Sequence, residues 1–148
     1  MVRFATSADE AETVSIARSS FIYSRFHLDN QIPRETADRM KAEWVGNYFR
    51  GQRGNRLVVA EEEGHVVGFL LLLYDEVPKL ITIDLIATDK AYQRRGIARE
   101  MVRFAEGSIP GYERIIVGTQ LANVPSIQLY ERLGFTVRSA SHVFHYHN

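Results

Sequence analysis

The sequence predicts a mixed α/β fold: a twisted central sheet of six to seven strands flanked by about four helices. Three observations lead there. Two β-rich runs, residues 56–61 and 66–74, are joined by Glu63-Gly64, a hairpin signal that implies antiparallel pairing. Later, residues 80–88, 96–107 and 114–119 read strand, helix, strand, a unit that pairs its strands in parallel. Around these lie apolar stripes of helical period.

Taken in order, residues 2–5 are a short apolar strand candidate. Ser7 and Glu10, three apart, read as a capping box. A helix follows with Ala11, Val14, Ala17 and Phe21 on one face. Residues 23–34 are polar and aromatic and end near Pro33, which reads as a loop. A second helix spans 35–49, striped by Ala37, Met40, Trp44 and Tyr48, with Gly51 and Gly54 ending it. After the hairpin, residues 75–79 turn at Pro78 into the strand 80–88. The next helix starts near Gly96, faces inward with Ile97, Met101, Phe104 and Ala105, and stops at Gly107 and Pro110. A strand over 114–119 leads to a helix over 123–133, closed by Gly134. Residues 135–146 read as one or two final strands.

The chain has 148 residues, the size of a single domain, 1–148, with no repeat, low-complexity tract or linker. Its 18 basic and 18 acidic side chains cancel, which argues against a broad nucleic-acid footprint. Without cysteine there is no disulfide, thiolate nucleophile or cysteine-ligated zinc. No run approaches the roughly 20 apolar residues of a membrane span. Arg3, Asp9, Glu10 and Glu12 interrupt any leader pattern, so a cytoplasmic location is expected. His142, His145 and His147 crowd the C-terminus, but 142 is out of phase with the others on a strand, and no metal is expected.

The strongest chemical signal is Gln93-Arg94-Arg95-Gly96-Ile97-Ala98, at the junction of a strand and a helix. Such a junction presents unpaired amides and the positive end of the helix dipole. Gly96 permits a tight turn and close approach. Ala98 is small, and Arg94, Arg95 and Arg99 add charge. The constellation suits a pyrophosphate. It is neither a P-loop nor a dinucleotide fingerprint. A surface helix that merely begins with a basic turn would also read this way.

Gln93 to Ala98 resembles the first signature of the GNAT acetyltransferases, glutamine or arginine-x-x-glycine-x-glycine or alanine. Thirty residues on, the run from Asn123 to Phe135 (NVPSIQLYERLGF) resembles the second. Order and spacing match, and the resemblance covers the whole chain. It implies the GNAT fold with splayed central parallel strands, and acetyl-CoA as co-substrate. It implies a pyrophosphate held by Gln93, Arg94, Arg95, Gly96, Ile97, Ala98 and Arg99. It also implies a pantetheine arm inserted between 80–88 and 114–119, with backbone amides near Ile86 and Ala87 stabilising the developing oxyanion.

Transfer is then direct from thioester to amine. The resemblance implies Tyr130 as the acid that protonates the departing thiolate, although helical periodicity alone makes it a core residue. Asp84, a carboxylate amid Ile81, Ile83, Leu85 and Ile86, stands where many GNAT enzymes carry a glutamate. It accepts a proton through water, orients the amine, or bonds a backbone or arginine neighbour. Asn123 is a helix N-cap by its position, and the family pattern adds contact with the coenzyme arm.

The loop with Arg25, Phe26, His27 and Asp29 lies where GNAT acceptor specificity resides. With 83–87 and 118–123 it resembles the branch that acetylates nucleotide-linked amino sugars, such as dTDP-fucosamine acetyltransferases. That branch commonly carries an added N-terminal region that is missing here. The expected partner is a small-molecule amine, with no nucleic acid and no membrane, and a homodimer is left open. The alternatives are acetylation of a peptide α-amine or lysine, which the 92–97 run also resembles, and an acetyl-CoA-binding module without turnover.

Overall fold

The computed structural model describes residues 1–142. In chain order it contains β1 (Val2–Phe4), α1 (Glu10–Ser20), α2 (Arg34–Phe49), β2 (Arg56–Glu62), β3 (His65–Asp75), β4 (Leu80–Thr88), α3 (Ile97–Ser108), β5 (Arg114–Val117) and α4 (Val124–Arg132). Short 3-10 turns, Ser7–Asp9 and Lys90–Tyr92, precede α1 and α3. The sheet runs β1-β2-β3-β4-β5, antiparallel except for the parallel β4–β5 pair.

Two apolar layers hold the sheet. On one face Val58, Leu70, Leu72, Ile81 and Ile83 pack with Ile97, Met101, Val102 and Ala105 of α3 and with Tyr130 of α4. On the other, Leu57, Val59, Phe69, Leu71, Leu85 and Ala87 pack with Ile16 and Ala17 of α1 and Val45 of α2. Burial of this kind contributes roughly 25 cal/mol per Å² of apolar surface and dominates the fold's stability. Gly68 in β3 lets α3 lie close. A Cβ there would stand 3.2 Å from the Ala87 carbonyl oxygen and 3.3 Å from both Ile97 and Met101.

Two expectations need correction. Five strands, not six or seven, are present among the described residues. Residues 136–142 are exposed and irregular. Their one sizeable apolar side chain, Val137, is 79% exposed, so the segment has no alternating face to bury. The rest of that run, 143–146, lies outside the described residues, as do His145 and His147. The capping box is also one residue earlier than read. Thr6 N–H donates to Asp9 Oδ2 at 2.7 Å, because Arg3 holds both oxygens of Asp9 and fixes it as the third residue of the box. Among the described residues no helix is long and apolar enough to cross a membrane, and no cluster of three or more candidate ligands could hold a metal.

Candidate active site

β4 and β5 pair only from Leu80–Arg114 to Ile83–Val117. β4 continues to Thr88, while the chain after Val117 leaves the sheet. The two parallel strands therefore part, and among the described residues the β4 edge from Asp84 onward has no strand beside it. Asp89 N–H donates to Val67 O, which turns it toward β3. Strand alternation then turns the backbone groups of Ile86 and Thr88 toward the open edge and those of Ala87 toward β3. Gln93 reaches back to this edge, its Nε2 donating to Thr88 O at 3.2 Å.

The parting begins at a bulge. Leu71 pairs with Leu85 and Leu72 with Ile83, which leaves Asp84 as the extra residue. The bulge switches the strand's faces. Ile81 and Ile83 belong to the α3 layer, whereas Leu85 and Ala87 belong to the α1–α2 layer. Asp84 accordingly meets α2. Its Oδ2 accepts from Trp44 Nε1 at 2.7 Å, and Arg53, just beyond α2, donates from Nε and Nη2 to its two oxygens, each at 2.7 Å.

The end of β4 feeds the basic turn. Arg94 and Gly96 both adopt left-handed backbone, φ 65° and 80°. Gly96 is the N-cap of α3, and a Cβ on it would meet nothing within 4 Å. The first intrahelical bond is made by Glu100 N–H to Gly96 O. The amides of Ile97, Ala98 and Arg99 thus precede the ladder and face outward at the positive end of the helix. Arg95 turns aside, over the Tyr92 ring at 5.1 Å and 3.9 Å from Glu62. An open concavity of about 630 Å³ adjoins this start on the β1 side and includes Gly96, Arg99 and Arg103.

α4 begins after Asn123, whose side-chain oxygen accepts from Ser126 N–H at 3.2 Å, so Asn123 has the capping geometry. Tyr130 is 5% exposed, and its ring lies 5.5 Å from that of Phe135. Burial pushes its phenol above the ordinary value. Its hydroxyl has no hydrogen-bond partner among the described residues, where the only sealed and unpartnered side-chain polar atom is Ser20 Oγ.

The loop between α1 and α2 uses part of its chemistry internally. His27 Nδ1 lies 2.6 Å from Ser24 Oγ and its Nε2 lies 2.7 Å from Asp38 Oδ1. Asp29 Oδ1 accepts from Gln31 N–H. Arg25 is exposed and stacks on Phe26 at 4.7 Å. Three contributors escaped sequence reasoning: Arg53, Trp44 and Lys41. Trp44 looked like one more residue of the apolar stripe, yet two cations lie over its ring, Lys41 Nζ at 4.4 Å and Arg53 Cζ at 4.5 Å. The signal that could have found Arg53 is Asp84 itself, since a carboxylate in an apolar strand demands a cation. No spacing rule says which.

The model of the Acetyltransferase (GNAT) family matches residues 17–135. The spore coat polysaccharide biosynthesis protein SpsD of Bacillus subtilis (strain 168) is 30% identical over 139 residues. That match covers 93% of this chain and 47% of SpsD, so the chain spans about half the length of this relative. Among solved structures, an IAA acetyltransferase from Bacillus cereus ATCC 14579 is similar, with 26% identity and a TM-score of 0.65 over 94% of this chain and 78% of that one. A GNAT family acetyltransferase from Brucella melitensis, solved in complex with acetyl-CoA, shares the fold. It has 19% identity and a TM-score of 0.69 over 93% of this chain and 82% of that one.

Proposed function

This chain belongs to the Acetyltransferase (GNAT) family, and from that premise we propose that it acetylates the primary amine of a nucleotide-linked amino sugar, using acetyl-CoA. The observation that carries the reading is the open β4 edge running directly into the turn with two left-handed residues and three outward amides. The similarity to a protein of spore coat polysaccharide biosynthesis supports a sugar acceptor.

The residues present fit acetyl-CoA. A diphosphate needs donors and room, and the amides of Ile97, Ala98 and Arg99 stand beside a glycine whose Cβ position is empty. An extended arm needs unpaired strand groups, and Ile86 offers them. Acetyl-CoA supplies the activated acetyl thioester.

The remaining work falls to side chains of this chain. Tyr130 Oη, without a partner among the described residues, donates the proton that the leaving sulfur takes up. Asp84 has both oxygens engaged by Arg53 and Trp44. It acts by orienting the acceptor and balancing its ammonium, and the proton leaves through water. Arg25 and Phe26 border the acceptor, while His27 and Asp29 shape the loop that carries them.

Gly96→Asp tests the site. It forces a side chain into left-handed backbone and sets a negative charge among the outward amides. Calorimetry should show acetyl-CoA binding weakened by at least about 100-fold, the scale of a few kcal/mol. Binding equal to wild type would overturn the assignment.

A further inference from the structure

Lys41 of α2 is 7% exposed, and three rings close on its ammonium: Trp44 at 4.4 Å, Phe21 at 5.2 Å and Phe26 at 5.8 Å. It makes no hydrogen bond and no ion pair among the described residues. Asp84 is the carboxylate that acts on it, but both of its oxygens already serve Arg53 and Trp44. Arg25 and Arg53 act on it with like charge. Three cations against one anion leave a local surplus of two positive charges, in a chain whose net charge is zero.

Burying an ammonium without a counter-charge is unfavourable, and cation–π contacts offset only part of that. The burden shows in the titration, since burial pushes Lys41 down to about 8. A residue kept at such a cost, beside the bulge and under the acceptor loop, is explained by a ligand that brings the missing charge.

We propose that Lys41 recognises a phosphoryl group on the acceptor, so that the substrate is an amine that also carries phosphate or a phosphate ester, paired by Lys41 and Arg25 together. Two surplus charges match the diphosphate of a nucleotide-linked sugar, one charge on each phosphoryl, or the phosphate of a sugar 1-phosphate, better than a single carboxylate. Arg25 adds the planar fork that phosphate oxygens accept. The inference rests on the amino-sugar reading and narrows it, because it names the part of the acceptor that is gripped.

The test is steady-state kinetics at saturating acetyl-CoA with two probes, an amino sugar and the same amino sugar as its 1-phosphate. Wild type should prefer the phosphate by at least about 10-fold in kcat/KM. Lys41→Met, close in volume and uncharged, should raise KM for the phosphate about 10–100-fold while kcat and the KM of acetyl-CoA stay within about twofold. Lys41→Arg should restore part of the preference. Should Lys41→Met fail to fold, the pH profile decides. With wild type, KM for the phosphate should rise as pH passes 8 and Lys41 discharges; the charged groups that act on it are Asp84, Arg25 and Arg53. With Lys41→Arg it should stay flat over the same range. A Lys41→Met enzyme that keeps the preference, or profiles that match in wild type and Lys41→Arg, overturns the inference. So does a wild type that acetylates both sugars equally, which would leave the amino-sugar reading standing. Preference for an amino acid over its amide, abolished by Lys41→Met, would replace phosphoryl by carboxylate. Acetylation of peptides and of neither sugar would remove the amino-sugar reading and this inference with it.

Discussion

Arg53 grips Asp84 at two points, Nε to Oδ2 and Nη2 to Oδ1, each at 2.7 Å, and thereby anchors the segment beyond α2 to the bulge of β4. The pair raises the guanidinium's pKa, chiefly through the hydrogen bond to Asp84. A carboxylate bound in this way serves as a fixed negative charge more readily than as a proton carrier.

Asp84→Asn keeps the shape and removes the charge. Turnover should fall while acetyl-CoA affinity stays nearly intact, because the open edge and the basic turn do not depend on that charge. Stability should drop by only about 1 kcal/mol, since Arg53 remains 38% exposed and water can take over its donors. Rates measured across pH, with a thermal melt on the same sample, check both parts. Wild-type kinetics at every pH would take Asp84 out of the mechanism.

Tyr130→Phe keeps the ring against Phe135 and deletes the hydroxyl. Turnover should fall about 10²–10⁴-fold, the scale of general acid catalysis. The melting temperature should barely move, because the hydroxyl has no partner to lose among the described residues. A mutant with full turnover removes the acid role whatever its stability. A mutant that loses stability instead would make the hydroxyl structural.

Lys41 makes folding stability depend on alkaline pH. Its ordinary pKa is 10.5 and burial lowers it to about 8. Between those values the unfolded chain holds more protons than the folded one, so stability rises with pH across that window. Below it the ammonium's full penalty applies, with an upper limit of about 3 kcal/mol. Urea midpoints of wild type and Lys41→Met, taken from pH 7 to 10.5, should therefore converge as pH rises. A constant gap would show that Lys41 does not carry the depressed titration.

Much of this was legible in the sequence where the signal is local. Glu63-Gly64 fixed the hairpin, Gly96 the start of α3, and the stripe of Ile97, Met101 and Ala105 its buried face. The 80–88 strand was bounded to the residue. What was not legible depends on contacts distant in sequence. Arg53 reaches Asp84 across 31 positions, and nothing in the spacing of either announces the other. Strand alternation also hid the bulge. Ile81, Ile83, Leu85 and Ala87 are all buried at a perfect period of two, yet they divide between opposite layers. The capping box slipped by one because Arg3, from β1, decides which acid is held.

The bulge at Asp84 also sets how this strand can change by insertion or deletion. Removing Asp84 would set Leu85 directly after Ile83 and still opposite Leu71, so Ile81 and Ile83 would stay on the α3 side and Leu85 and Ala87 on the α1–α2 side. The two cores are therefore indifferent to the extra residue. What it adds to the strand is the carboxylate that Arg53 and Trp44 hold, and a deletion there would take that fixed charge away while leaving the packing of β4 in place.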